Sequence, residues 1–411
     1  MWKSLCRGLE QIANYFTAEI KECFRDSGTI VIFILGMLTY PVAYSIGYLK
    51  EIVRDIPIAV VDLDHTALSR QYSRLTDAAE QVKVSFKPGS LKEASALFYK
   101  GEVAGVLLIP AGFEKDLYSG RQAGVTIYSD AGHFLLYKQV YAGSVYASQT
   151  FNAGIAVRNL LAKGKTLHQA LDESDPLKVK VYNLYNPSGG YATFVVPGIL
   201  LIVIQQTLLI GIGLLGGKHN ERNSYHYLAS ATRQRWAPLK VVLGQASAYV
   251  FIYLFTCFLI VGLFYKLIAF PDKGGYWGTY YLLIPYLFTV SFLGIAIGLL
   301  FKKRSHALLF LVFISPSIFF ISGAAWPIEA LPPFLRSLSL IFPSTPMIGA
   351  FIRSRIMGSG MHAISYEYHV MLIQMVFYFL LALLSFHLKL VRLRQQKVIE
   401  PIYHPEGEYM Q

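Results

Sequence analysis

Between Tyr191 and Gly217 the chain runs for 27 residues without an Asp, Glu, Lys or Arg. A bilayer core of ~30 Å is crossed by ~20 residues of α-helix, at ~1.5 Å per residue. Inside hydrocarbon every backbone N–H and C=O has to be satisfied within the spanning structure, which leaves helices and closed barrels. So long an uncharged run predicts a membrane helix. Five further stretches are long and apolar enough: Thr29–Leu49, part of Gly274–Phe301, part of Ala307–Ile328, Val241–Tyr265 and Val370–Leu388. The 411 residues are 54% hydrophobic and 15% charged, where soluble domains carry about 25% charged residues. The expected fold class is a polytopic α-helical membrane protein with six transmembrane helices.

The net charge of +12 could point to nucleic acid, so its location matters. Residues 50–190 hold 16 Lys and Arg against 14 Asp and Glu, which leaves +10 flanking the apolar runs. With six spans, the N-terminal segment, 218–240, 302–304 and the tail fall on one side and carry 16 basic residues. The opposite short loops carry five: Lys266, Lys273, Arg336, Arg353 and Arg355. That asymmetry follows the positive-inside rule and excludes a nucleic-acid footprint. It predicts a multi-pass protein of the cell (inner) membrane with both termini cytoplasmic and residues 50–190 extracytoplasmic. Cys6, Cys23 and Cys257 all lie outside residues 50–190, so no disulfide framework exists there.

Residues 50–190 read as an α/β domain inserted between helices 1 and 2. IPIAVVDLD (56–64), QVKVSF (81–86), VAGVLLIP (103–110) and GVTIYSD (124–130) read as strands, with helical stretches at 66–80 and 90–101. Such alternation builds a layered α/β unit. A long helix follows, with Leu136, Val140, Ala147, Phe151 and Ile155 on one stripe. Residues 1–28 place Leu5, Leu9, Ile12, Phe16, Ile20 and Phe24 on one helical face, which predicts an amphipathic helix on the cytoplasmic membrane surface. The remaining expected divisions are transmembrane helix 1 at 29–49, helices 2–6 within 191–392 and a cytoplasmic tail at 393–411.

Three patterns suggest chemistry. Val61-Asp62-Leu63-Asp64-His65-Thr66 follows a hydrophobic strand and resembles a phosphohydrolase motif, with Asp62 as nucleophile and Asp64 as acid/base. The alternative is a strand end with Asp64 capping the next helix. His65, His133 and His168 share the region, but none has tight metal-ligand spacing. Gly216-Gly217-Lys218-His219 is the nearest approach to a phosphate-binding loop and lacks its first Gly and its Ser/Thr. No catalytic, metal or cofactor-binding residue is therefore assigned, and any ATP hydrolysis is expected in a separate subunit. Gln205 and Gln206 interrupt the uncharged run and are candidate pathway polar groups, or equally interhelical glue.

The stretch 305–346 ends an apolar run in Ser322-Gly323-x-x-Trp326-Pro327-x-x-x-x-Pro332-Pro333, then Phe342-Pro343-x-Thr345-Pro346. This order resembles the extracellular re-entrant hairpin (here 322–346) of ABC-2 type transporter permeases. Phe194-Val195-Val196-Pro197-Gly198 resembles that family's opening of the second span. Glu221-Arg222-Asn223-Ser224-Tyr225, with Leu228, resembles its coupling helix, with Asn223 where Gly is usual and Ser224 where Thr is usual. The resemblance implies the permease subunit of an ABC exporter, in the branch with a large extracytoplasmic domain between the first two spans. It implies an ABC ATPase subunit docked on loop 218–240, a second permease copy or homologue in a homodimer or heterodimer, and the lipid bilayer as surroundings. A periplasmic adaptor protein fits the outer domain. Gly323, Trp326, Pro327, Pro332 and Pro343 would form the extracellular gate. The charge-free spans suit an amphipathic or hydrophobic cargo of the drug, lipid or peptide class, as in multidrug efflux. Two alternatives stay open: a membrane-anchored phosphohydrolase using Asp62 and Asp64, and a non-transporting membrane scaffold or sensor.

Overall fold

The computed structural model describes residues 2–47, 52–177, 179–187, 189–222, 236–265, 272–274 and 276–395. The chain divides into two compact units, Met1–Leu49 with Leu184–Gln411, and Lys50–Asn183.

The first unit is helical. Among the described residues six helices are long and apolar enough to cross a membrane: Ser27–Tyr44, Tyr191–Glu221, Ala237–Gly262, Trp277–Gly298, Arg304–Ile321 and Met361–Arg392. Helix α1 (Trp2–Arg25) precedes them. The first span opens as α2 (Ser27–Ile30), passes through a π-helical turn (Val31–Gly36) and continues as α3 (Met37–Gly47). A π turn carries an extra residue per turn and re-aims the side chains around it. Here Phe33 is buried edge-on against Tyr249 and Tyr253, with ring centroids 6.0 and 5.1 Å away.

The central element is the 31-residue helix spanning Tyr191–Glu221, labelled α9 below, after α4–α8 of the second unit. Nearly all its apolar side chains are buried, because neighbours surround it. Its glycines let them come close. A Cβ on Gly211 would lie 1.9 Å from the Phe33 ring, and one on Gly216 would lie 2.6 Å from the Gly298 carbonyl oxygen. Small residues of this kind let membrane helices approach backbone to backbone. The neighbours are α11 (Tyr276–Gly298), α12 (Arg304–Ile321) and the first span, while α10 (Ala237–Cys257, continuing as a π segment Phe258–Phe264) packs on α11. α15 (Ser365–Gln395) packs on α11. Pro197 falls in the second turn of α9 and is buried, so it lies deeper than the helix-opening position that its place in the run suggests.

Helix α1 packs along α10. Its buried line is Tyr15, Glu19 and Cys23, whereas Leu9 and Phe24 of the apolar stripe are exposed. One face is therefore used by the protein and another stays apolar and open.

The fifth apolar helix stops at Ile321, short of the Ala307–Ile328 run read from composition. Ser322 caps it and Gly323 turns with φ 90°. A 3₁₀ turn (Ile328–Ala330), α13 (Pro333–Ser339) and α14 (Ser344–Phe351) follow, α14 running on as a π turn (Ile352–Ile356). The limbs Pro333–Ser339 and Ser344–Ile356 bend by 92°. Proline fixes its φ and has no N–H, so Pro332, Pro333 and Pro343 sit where helices start.

The second unit holds β1 (Ile56–Asp62), β2 (Val82–Phe86), β3 (Gly105–Ile109) and β4 (Thr126–Ser129) in the order β2-β1-β3-β4. β1 is parallel to β2 and β3, while β4 is antiparallel to β3. The crossovers carry α4 (Ala67–Asp77) and α5 (Leu91–Tyr99). Then come α6 (Phe113–Tyr118), α7 (Phe134–Ala162) and α8 (Leu167–Ser174). β1 buries both faces: Val60 packs with Tyr72, Phe113 and Phe151, and Ala59 and Val61 pack with Ala94 and Val106. That is why its sequence is almost continuously apolar. Val140, Ala147 and Phe151 of α7 are buried as their spacing predicts.

Candidate functional site

Asp26 stands at the corner between α1 and α2. It caps α2, accepting from the Thr29 N–H at 2.9 Å and the Thr29 hydroxyl at 3.0 Å. Arg304, at the start of α12, donates to both its oxygens, Nη1 to Oδ2 at 3.0 Å and Nη2 to Oδ1 at 2.7 Å. Lys218, in the last turn of α9, lies 3.2 Å from Asp26 Oδ2 and 3.5 Å from Glu22. Room for the guanidinium comes from Gly28, where an added Cβ would be 2.1 Å from Arg304 Nη2. Burial alone would raise the Asp26 pKa. The Thr29 N–H, Arg304, the Thr29 hydroxyl and Lys218 reverse this and hold the carboxyl well below the usual carboxylate range.

The same turn of α9 ties to three more elements. Glu221 Oε2 accepts from the Arg304 N–H at 3.3 Å, so it caps α12. Asn220 donates to the carbonyls of Leu299 (3.2 Å) and Phe301 (2.8 Å), just past the end of α11. Lys389 of α15 donates to Asn220 Oδ1. Alongside, Glu19 of α1 is buried and accepts from Gln245 (2.8 Å) and Tyr249 of α10. Arg222 closes α9 with its N–H on the Lys218 carbonyl, and its side chain is exposed. Asn223, Ser224, Tyr225 and Leu228 lie outside the described residues. Glu221, expected from the sequence to couple to an ATPase, here caps α12, while the sequence alone does not single out Asp26 and counts Arg304 only as flanking charge. The local signal was Asp26-x-x-Thr29, an N-cap pattern at the edge of an uncharged run.

A second cluster lies at the hairpin break. A 92° bend frees backbone groups that no helix satisfies, and at membrane depth other groups of the protein or a water-filled cavity must meet them. Gln205 Oε1 of α9 accepts from the Ser344 N–H at 2.8 Å. Gln374 and Tyr378 of α15 donate to the carbonyls of Leu340 and Ile341, each at 2.5 Å. Thr345 Oγ1 donates to the Ser339 carbonyl at 2.7 Å. Gln205 thus holds the break. Gln206, also buried, has no hydrogen-bond partner for its amide among the described residues. Of the predicted gate residues, Pro343 is at the break, while Gly323, Trp326, Pro327 and Pro332 line the approach, with Trp326 55% exposed. A Cβ on Gly198 would lie 2.9 Å from that of Ala324, so α9 packs directly on this approach.

Arg355 was counted only as a loop charge, yet it is fully buried. It donates to Thr279 Oγ1 and Asp272 Oδ2, both at 2.6 Å, and lies over the Tyr265 ring at 5.3 Å. A buried cation is tolerated only when so paired.

The Asp62–Asp64 motif is used structurally. Asp62 accepts from the N–H groups of Asp64 and His65, each at 3.0 Å, and from the Ser69 hydroxyl at 2.7 Å. Asp64 accepts from Gly112 N (2.7 Å), Glu114 N (3.0 Å) and the Thr66 hydroxyl (2.6 Å). The cap of α4 is Thr66, in a capping box with Ser69, and Asp64 instead caps α6. Slight burial would raise the Asp64 pKa; the Thr66 hydroxyl and the N–H groups of Glu114, Gly112 and Phe113 lower it instead. All four carboxylate oxygens thus serve the fold, which counts against a nucleophile and acid/base pair. His133 pairs with Asp130 and His168 with Asp172, and His65 stands apart on an exposed turn. Among the described residues no group of three His, Cys, Asp or Glu is placed to hold a metal.

Known proteins match this architecture along most of its length. The chain is 20% identical over 389 residues to the inner membrane transport permease YhhJ of Escherichia coli K12, covering 92% of this chain and 98% of that one. It is 22% identical over 330 residues to the probable multidrug ABC transporter permease YbhR of the same organism, covering 79% and 84%. The family model described as ABC-2 family transporter protein matches residues 27–384, from the first apolar helix almost to the end of the last. The chain belongs to the ABC-2 family of transporter proteins and is a transporter membrane subunit.

Proposed function

We propose that this chain is the permease subunit of an ATP-driven ABC-2 exporter and forms half of a translocation pathway for an amphipathic or hydrophobic cargo. The observation that carries this reading is the joint in the last turn of α9. Lys218 stands just before the stretch expected to dock on an ABC ATPase and Glu221 opens it, and they are tied to α12, to the α1–α2 corner and, through Asn220, to α11 and α15. A push on residues 221–228 would therefore reach α12, the α1–α2 corner, α11 and α15 at once. At the other end, Gln205 links α9 to the hairpin break, so the same motion would reach the hairpin. In this reading Gly323, Trp326, Pro327, Pro332 and Pro343 form an outer gate.

The charge asymmetry of the loops supports cytoplasmic termini and an extracytoplasmic α/β unit. The lack of charge along residues 191–217 of the central helix suits a drug, lipid or peptide cargo, and one relative is named as a probable multidrug permease. A second copy or a homologue supplies the other half, and a periplasmic adaptor is a further candidate partner of the α/β unit. The test is gentle detergent extraction of the full chain, crosslinking at Arg222→Cys, and mass spectrometry. A stoichiometric chain with a phosphate-binding loop is expected. Its absence, with the permease itself intact, overturns the reading.

A further inference from the structure

The polar side chains at the hairpin break are each half used. Among the described residues, Gln205 spends Oε1 on the Ser344 N–H, and its Nε2 has no partner. Gln374 spends Nε2 on the Leu340 carbonyl, and its Oε1 has none. Ser344 spends its N–H, and its hydroxyl has none. All three are more than nine-tenths buried, at 0%, 7% and 0% exposure. They come from three elements, α9, α15 and α14, and converge on the five residues 340–344. A buried polar atom without a partner is destabilising, and buried polar groups in folded proteins are overwhelmingly paired. Two open donors and one open acceptor on side chains held by this one five-residue stretch, with no fixed charge among them, are the complement of a neutral group that both accepts and donates.

Resting on the permease reading above, we propose that the break is a polar seat for a neutral hydrogen-bonding group of the cargo, such as a hydroxyl, amide or sugar. In the conformation described the seat is closed, with its atoms out of solvent contact. Gln205 and Ser344 would give hydrogen bonds to the cargo's oxygen, and Gln374 would accept from its N–H or O–H. Parting of α13 from α14 would admit the group. A cationic amphiphile without donors would gain nothing there.

Ser344→Ala is the clean probe, because it removes the open hydroxyl and leaves the backbone N–H on Gln205. The full chain, purified with its ATPase and placed in lipid nanodiscs, would be titrated with octyl glucoside and octyltrimethylammonium below their micellar concentrations. The readout is the concentration of each that half-maximally stimulates ATP hydrolysis. Ser344→Ala is expected to raise the octyl glucoside value roughly three- to tenfold, the worth of one net hydrogen bond, and to leave the octyltrimethylammonium value unchanged. Unchanged thermal unfolding of the complex guards against a folding defect. An octyl glucoside response that Ser344→Ala does not shift, or equal shifts for both probes, means that the open ends are met by water or by packing alone and overturns the proposal. A wild type indifferent to octyl glucoside does the same. Failure to recover any ATPase with the chain overturns the permease reading instead.

Discussion

Asp26 joins residues that no sequence window would place together, since Arg304 lies 278 positions away. The pair is bidentate, its carboxylate is buried, and charge-assisted hydrogen bonds of this kind are worth ~1.5–3 kcal/mol each when one partner is removed. Asp26→Asn keeps an acceptor for Thr29 and loses the charge. It is expected to lower the stability of the helical unit by about 1.5–3 kcal/mol. Arg304→Gln is expected to do the same, and the double variant to fall well short of the sum, because both remove one interaction. Chemical unfolding of the three variants in a fixed detergent checks this, and full additivity would contradict the joint. The pH dependence has a definite sign. The carboxyl titrates lower in the folded state than in the unfolded one, so its contribution is complete above the ordinary carboxylate range. It is lost progressively as the pH falls below the ordinary carboxylate range and is gone once the pH has passed the depressed folded value. Stability should therefore be flat from neutral to mildly acidic pH in this respect, with a loss at strong acid that Asp26→Asn lacks. Charge counting could not find this joint. It records Arg304 as a topology marker and is blind to which carboxylate it meets. The strands of the second unit were legible for the opposite reason. Their short apolar runs and flanking caps, such as Thr66 and Ser90, are written in consecutive residues.

The hairpin shows how a broken element can be held. Its prolines announced the break, and Pro343 stands at the turn into α14. What the sequence did not announce is the set of side chains that satisfy it. Gln374 and Tyr378 lie in a helix whose apolar run reads as an ordinary span, and their spacing of four puts both on one face. Gln205 was legible as an odd polar residue that a pathway group and interhelical glue fitted equally, but its contact with the Ser344 N–H, 139 positions away, is written in no sequence window. Tyr378→Phe removes the hydroxyl from the Ile341 carbonyl and leaves that part-buried carbonyl without its donor, at a cost of about 1 kcal/mol. The cost should be local. Hydrogen exchange is expected to quicken in residues 340–347 and to stay unchanged in β1 and β3. Equal quickening of the sheet, or none at the break, would show that Tyr378 does not hold the hairpin.

The two units place opposite demands on orientation, and one labelling pattern tests them together. The α/β unit has its own sheet and cores, with Tyr99 of α5 exposed at 86%. The helical unit carries Cys6 exposed on α1, while Cys23 and Cys257 are buried. The charge bias predicts α1 in the cytoplasm and residues 50–190 outside it. In intact cells whose outer barrier is permeabilised, a membrane-impermeant maleimide should therefore label Tyr99→Cys in a Cys6→Ser background. It should leave Cys6 of the wild type unlabelled until the inner membrane is opened. The result bears on more than topology. Glu221 and Arg222 follow the first unit's second span, so they share a side with α1 under six crossings. If Cys6 labels first, the stretch expected to meet the ATPase faces away from ATP, and the joint at Asp26 could not be driven by a nucleotide motor. If Tyr99→Cys labels first, residues 221–228 lie where ATP is present, and the contacts of α9 with α12 and the hairpin become the route by which hydrolysis on one side reaches a gate on the other.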